Sequence, residues 1–92
     1  MDFIREADKI YLKDNNDHMI AVVTFPRLTD GVVNIDHTYV DDTLRGQGIA
    51  GKLMEEAVSY FRENNLKSKL TCSYAVKWFD EHKDCWDVLD KD

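Results

Sequence analysis

The chain has 92 residues, of which 43% are hydrophobic and 33% are charged, and its formal net charge is −6. This length and composition fit one small globular domain spanning residues 1–92. The acidic balance argues against duplex nucleic acid as a partner, because neutralising phosphates requires clustered Lys and Arg.

No run approaches the roughly 18–20 apolar residues that cross a bilayer. The first residues lack the basic and then apolar pattern of a secretory signal. Two cysteines, Cys72 and Cys85, do not resemble the disulfide set of a small secreted protein. We therefore expect a cytoplasmic protein with no membrane partner and no metal site, and no feature indicates an oligomeric state.

Three strands are predicted before residue 41, at residues 9–13, 18–28 and 32–40. Pro26 should end the pairing of the second strand or mark an edge or bulge. Short turns between the three strands predict an antiparallel meander. Side chains alternate along the third strand, which predicts two faces. Val33, Ile35, His37 and Tyr39 lie on one face, and Asn34, Asp36 and Thr38 lie on the other.

The apolar spacing changes to three and four after Gly46, which predicts an amphipathic helix over residues 46–64. A fourth strand at residues 69–73 and a second helix at residues 74–89 follow, the latter with Val76, Phe79 and Trp86 facing inward. The predicted order is β-β-β-α-β-α. Strands three and four should be parallel, because the helix between them forms a crossover connection.

The segment from Arg45 to Lys52 (Arg-Gly-Gln-Gly-Ile-Ala-Gly-Lys) lies between a predicted strand and a predicted helix. Glycines allow close backbone approach, and the free N–H groups of a helix start attract anions such as a pyrophosphate. A Walker loop is rejected, because Leu53 stands where Ser or Thr must hold magnesium. A dinucleotide fingerprint is disfavoured, because antiparallel strands precede it and no acidic residue ends the next strand.

Arg45-x-x-Gly48-x-Ala50, following a strand that ends in Val40, resembles the Arg/Gln-x-x-Gly-x-Gly/Ala motif of the GNAT superfamily of acetyl-CoA-dependent N-acetyltransferases. With the Cys72-Ser73-Tyr74 segment downstream, residues 9–89 resemble the small one-domain acetyltransferase-like subfamily. The chain is short for the superfamily and lacks its two N-terminal helices, and Ser73 stands where that subfamily has proline. The resemblance implies an α+β (α/β-like) minimal GNAT fold. Its mixed, mostly antiparallel sheet would have a cleft where strands three and four splay apart.

The same resemblance implies that acetyl-CoA is the co-substrate. The third strand would bond the pantetheine arm and the loop would hold the diphosphate. The implied cofactor-binding residues are Thr38, Tyr39, Val40, Arg45, Gly46, Gln47, Gly48, Ile49, Ala50, Gly51 and Lys52. The usual reaction of this superfamily is direct attack of a neutral amine on the thioester. Before it loses its proton the amine is a cation, which an acidic surface would weakly attract.

Four residues are candidates for the chemistry. His37 suits proton transfer near neutrality, and Asp36 is an alternative base acting through water. Cys72 is a candidate to accept the acetyl group covalently, and the other interpretation is a small buried residue. Tyr74 is a candidate acid or a contact of the pantetheine arm. We expect an N-acetyltransferase acting on a primary amine; the alternative is a non-catalytic acetyl-CoA-binding sensor or interaction module.

Overall fold

The computed structural model describes residues 2–90, and within that range it has seven strands and two α-helices. The strands are β1 (Ile4–Glu6), β2 (Lys9–Lys13), β3 (Met19–Thr24), β4 (Arg27–Thr29), β5 (Val32–Ile35), β6 (His37–Val40) and β7 (Lys67–Leu70). The α-helices are α1 (Ile49–Glu63) and α2 (Ser73–Asp80), and 3₁₀ segments cover Asp42–Leu44 and Lys83–Val88.

The strands form two sheets that meet beside α1. One sheet has the order β1-β2-β3-β6 with antiparallel neighbours, and the other has the order β4-β5-β7. β5 and β7 are parallel, as predicted from the crossover through α1. The predicted α+β class and mixed, mostly antiparallel pairing are confirmed, whereas β1 was not predicted.

The predicted strand at residues 18–28 is in fact two strands in different sheets. β3 ends at Thr24, and β4 begins only after the Phe25-Pro26 pair. Pro26 has no N–H to donate to a ladder, so the break that it predicted is confirmed. Phe25 is fully buried at this break, and its N–H donates to Asp8 O at 2.8 Å.

The predicted strand at residues 32–40 is also interrupted, at Asp36. The Asp36 N–H donates to Thr24 O at 3.2 Å, and the next residue, His37, is the register partner of the same threonine. Two residues therefore oppose one, which is the arrangement of a β-bulge. β5 continues into the sheet with β7, and β6 continues into the sheet with β3.

The bulge reverses the alternation of the side chains. The prediction that His37 and Tyr39 share a face with Val33 and Ile35 is therefore wrong. The side chains of Val33 and Ile35 are fully buried, whereas those of His37 and Tyr39 are exposed. Thr38 lies on the core side instead, as the register partner of a fully buried valine in β3. One extra residue is enough to exchange the faces, because side chains alternate along a strand.

The face of α1 that packs on the sheets matches the predicted spacing. Its buried residues are Ile49, Leu53, Met54, Ala57, Val58 and Phe61.

The second helix is shorter than predicted, because α2 ends at Asp80 and is followed by the 3₁₀ segment. Phe79 is buried as predicted, but Val76 is 47% exposed, so its inward placement was wrong. The fourth strand ends at Leu70, so Cys72 lies beyond it. No helix within residues 2–90 is long and apolar enough to cross a membrane.

Phe61→Ala tests the packing of α1 against the break between β3 and β4. The Phe61 ring meets the Phe25 ring edge-on at 5.0 Å between centroids, and both side chains are fully buried. We expect this substitution to lower the free energy of unfolding by about 3–5 kcal/mol in chemical denaturation. Leu28→Ala, at a 51% exposed position, should change it by no more than about 0.5 kcal/mol. A loss below about 1 kcal/mol for Phe61→Ala would contradict this packing.

Candidate functional site

The site begins where β6 ends, in a loop held by Asp41. The Asp41 carboxylate accepts hydrogen bonds from the Thr43 N–H at 2.9 Å and from the Thr43 hydroxyl at 2.8 Å. These bonds lower the pKa of the Asp41 carboxyl. The Asp41 N–H donates to Ile20 O at 2.8 Å, which joins the loop to β3. The path from β6 to α1 is therefore fixed at its first residue.

Two glycines then turn the chain into α1. Gly46 has a φ of +84° and Gly48, the N-cap of α1, has a φ of +71°. Other residues rarely adopt this left-handed conformation, so glycine is needed for the backbone at both positions. An added Cβ would meet no atom within 4 Å at either glycine, so the loop surface at both is open.

The first turn of α1 presents N–H groups that make no hydrogen bond within the helix. The Lys52 N–H donates to Gly48 O at 3.1 Å. The N–H groups of Ile49, Ala50 and Gly51 precede this bond and have no partner within the helix. The first turn contains no acidic residue, and no side chain caps it. Free N–H groups and the partial positive charge of a helix start together favour an anion.

A pocket of about 400 Å³ opens over this helix start. Its lining residues are Val40, Leu44, Arg45, Gly46, Gly48, Ile49, Ala50, Gly51 and Tyr74. Seven of the eleven residues predicted to bind the cofactor line it; Thr38, Tyr39, Gln47 and Lys52 do not. Leu44 was not predicted, because its place in a 3₁₀ turn after the strand has no periodic signal in the sequence.

Arg45 lies at the mouth of the pocket in an ion pair with Asp42. The Arg45 Nε lies 2.9 Å from Asp42 Oδ1, and the two side chains are 75% and 86% exposed. An ion pair this exposed contributes little to stability. The guanidinium is therefore held near the loop by a contact that a bound anion can replace.

The start of α2 closes the pocket opposite α1. A Cβ added at Gly51 would lie 3.7 Å from Trp78 Nε1 and 3.8 Å from the Tyr74 hydroxyl oxygen, so these two α2 side chains reach the first turn of α1. Burial raises the pKa of the Tyr74 phenol, and the acidic groups of Glu81 and Cys72 raise it further. Tyr74 thus remains a proton donor at neutral pH.

Cys72 lies between the two sheets, just before α2. Its Sγ is 3.5 Å from the hydroxyl oxygen of Thr38 in β6, and the pair is partly buried. The Cys72 N–H donates to Ile35 O, the last residue of β5, at 3.1 Å. The cysteine therefore lies beside the bulge that joins β5 to β6, two residues before Tyr74. The Thr38 side-chain contact was not predicted, because only the reversed alternation turns this hydroxyl toward the cysteine.

The two other candidate residues are on the opposite face of β6. His37 is exposed, and its neighbour Thr38 turns to the core side. Asp36 is exposed, and its carboxylate accepts a hydrogen bond from the Thr24 hydroxyl. Cys72 therefore lies two residues before Tyr74 and on the other side of β6 from His37 and Asp36, and of these four residues only Tyr74 lines the pocket.

Two sheets that diverge beside a glycine-rich helix start define the class of acyltransferase folds known as GNAT. The family model described as "GCN5-related N-acetyl-transferase" matches residues 9–89, and the chain belongs to this family. The family uses acetyl-CoA as its co-substrate.

The sequence and the fold of the chain are similar to those of other proteins. A GCN5-like protein from Staphylococcus aureus, solved by NMR, is 34% identical with a TM-score of 0.79, covering 97% of this chain and 87% of that chain. Human protein NATD1 is 37% identical over 78 residues, which are 85% of this chain and 69% of the relative. The GNAT protein YhbS of Escherichia coli, solved in complex with CoA, shares the fold at 24% identity and a TM-score of 0.56, covering 63% of this chain and 35% of that chain.

Two glycine substitutions should have opposite effects on stability. Gly46→Ala forces a side chain into a left-handed conformation and should lower the free energy of unfolding by about 1–2 kcal/mol. Gly51→Ala replaces a helical glycine without a clash and should raise it by about 0.5–1 kcal/mol. Thermal melting measures both, at roughly 4–8 °C per kcal/mol for a domain of this size. Destabilisation by both would contradict the assigned helix start.

Proposed function

We propose that this chain binds acetyl-CoA in the pocket over the start of α1 and transfers the acetyl group to a primary amine. The observation that carries the proposal is the set of free N–H groups at the head of a fifteen-residue helix, open to a pocket of about 400 Å³. A diphosphate is the part of acetyl-CoA that such a helix start recognises. The GNAT family, to which the chain belongs, uses acetyl-CoA as its co-substrate.

The placement of the cofactor follows from the chain around the pocket. In the proposal, the diphosphate lies on the N–H groups between Gly46 and Gly51, and Arg45 leaves Asp42 to contact a phosphate. β6 is an edge strand of its sheet within the described chain, and its backbone groups alternate in direction. The Asp41 N–H bonds β3, so the backbone groups of Thr38 and Val40 point outward and are available to the pantetheine amides, whereas those of Tyr39 pair with β3 and leave its side chain as the proposed contact. The predicted contacts of Gln47 and Lys52 belong to the same proposal as flanking groups of the loop.

The proposed chemistry uses Cys72 and Tyr74. The Cys72 thiolate attacks the thioester carbonyl carbon, the bond from that carbon to the CoA sulfur breaks, and the leaving thiolate takes a proton from the Tyr74 phenol. A neutral amine then attacks the acetyl carbonyl carbon on Cys72, the bond from that carbon to the cysteine sulfur breaks, and the sulfur leaves as thiolate. The Tyr74 phenolate recovers a proton from solvent. Burial raises the pKa of Tyr74, so the phenol is protonated at neutral pH and has a proton to give.

His37 is the proposed base for the amine. It lies on the face of β6 away from the pocket, so an amine reaching the gap from that face would not cross the cofactor. A water molecule would carry the proton from the attacking amine to the imidazole. Asp36 beside it would attract a cationic acceptor. In the proposal, the primary amine therefore enters opposite the cofactor.

The cofactor assignment is tested by Gly48→Glu. This variant puts a carboxylate where the diphosphate is proposed to lie, so calorimetry with acetyl-CoA should show affinity reduced by more than about tenfold. Gly48→Gln has the same backbone strain and nearly the same size without the charge, and should bind more tightly than Gly48→Glu. Ser59→Glu adds the same charge at an exposed position near the other end of α1 and should bind like the unmodified protein. Equal affinity for Gly48→Glu and the unmodified chain would remove the loop from the proposal.

The chemical assignment is tested by Cys72→Ala in a single turnover with acetyl-CoA and a panel of amines. Loss of the covalent step should lower the rate of thiol release by at least about tenfold while acetyl-CoA binding persists. Mass spectrometry of quenched samples should find an acetyl group on Cys72 of the unmodified protein. Undiminished transfer by Cys72→Ala would favour direct attack by the amine. Binding without thiol release for every amine would favour the non-catalytic module.

A further inference from the structure

The hydroxyl of Thr38 joins two parts of the molecule that share no strand ladder. β6 belongs to the sheet with β3, whereas Cys72 follows β7 of the other sheet. The 3.5 Å contact between Thr38 Oγ1 and Cys72 Sγ crosses the gap between them. We propose that Thr38 is the positioning residue of Cys72: its hydroxyl orients the sulfur in the gap and stabilises the thiolate. The role in acetyl transfer rests on the proposed function, but the contact itself does not.

Thr38 is held rigidly at its end of the contact. It is in the middle of the β6 register with β3, opposite Val23, which is fully buried. The ladder fixes its backbone, and the threonine side chain has few rotamers because it is branched at Cβ. The position of the hydroxyl is therefore set by the sheet rather than by solvent.

Cys72 is held at the other end by backbone bonds on both sides. Its N–H donates to Ile35 O at 3.1 Å, and its carbonyl accepts from the Val76 N–H in α2 at 3.0 Å. Its side chain is neither fully buried nor fully exposed. These bonds fix the Cys72 backbone but not the torsion about its Cα–Cβ bond, so the contact with the Thr38 hydroxyl is what orients the sulfur.

The direction of the hydrogen bond depends on the state of the sulfur. A thiol can donate to the Thr38 oxygen, but a thiolate can only accept, so the Thr38 O–H then donates to sulfur. Hydrogen bonds to a charged partner are roughly twice as strong as neutral ones. The Thr38 O–H can therefore donate to the thiolate, which is the nucleophilic form of cysteine. Cys85 differs, because it is buried and its burial raises the pKa of its thiol.

The experiment measures alkylation of Cys72 by iodoacetamide at neutral pH in the full chain without acetyl-CoA. Peptide mass spectrometry separates Cys72 from Cys85. Thr38→Val keeps the shape and removes the hydroxyl, and we expect alkylation of Cys72 to slow by about three- to tenfold. Thr38→Ser restores the hydroxyl and should return the rate to within about twofold of the unmodified chain.

Two controls separate this role from a general effect on folding. Thr29→Val makes the same substitution at an exposed position in β4 and should leave the rate unchanged. Thermal melting and the protection of Cys85 should be the same in Thr38→Val and Thr38→Ser. The proposal is overturned if Thr38→Val reacts as fast as the unmodified chain, or if Thr38→Ser is as slow as Thr38→Val.

The same variants distinguish this inference from the proposed function. If acetyl-CoA never acetylates Cys72 in the unmodified chain, the covalent mechanism fails, while the alkylation rates still decide the role of Thr38. If Cys72 is acetylated and Thr38→Val leaves both alkylation and acetylation unchanged, the mechanism stands and the inference fails.

Discussion

The separation of the two sheets depends on a pair of breaks that lie beside each other. β3 ends at Thr24, and the bulge between β5 and β6 places Asp36 against that same residue. On the other side of Pro26, the proline carbonyl accepts from the Asn34 N–H at 3.0 Å, so β4 and β5 stay together. The segment from β3 to β4 therefore stays paired with the segment from β5 to β6 on both sides of the breaks. The outer neighbour is what changes: β5 pairs with β7, whereas β6 is an edge strand within the described chain, so the gap lies between β6 and the residues that follow β7.

The buried Phe25 explains why the breaks stay open. Its side chain is fully buried at the point where β3 ends, and its ring packs against those of Tyr60 and Phe61 in α1. The energy of that burial opposes closure of the two sheets into one, since the ring would lose its apolar contacts. The same helix that packs against Phe25 begins at the glycine loop, so the packing of the break and the proposed diphosphate site depend on one element.

The sequence was enough to predict the parts of the fold that have a strong period. The spacing of Leu53, Ala57 and Phe61 identified the face of α1, and the crossover predicted the parallel pair. Glycine and arginine in the loop predicted most of the pocket lining, because backbone chemistry at a helix start is local. The bulge at Asp36 has no such signal. Nothing in the sequence Val-Asn-Ile-Asp-His shows that the carbonyl of Thr24, on the neighbouring strand β3, accepts from the Asp36 N–H.

That missed bulge decides which side chains meet in the site. With unbroken alternation, His37 would face the core with Ile35, and the hydroxyl of Thr38 would face away from the cysteine. The extra residue turns Thr38 toward Cys72 and moves the imidazole to the outer face. One face of β6 therefore carries Thr38 beside Cys72, and the other carries the exposed His37. In the proposed reaction the thioester and the amine must approach one carbonyl from different sides, and the reversed alternation gives β6 a separate face for each.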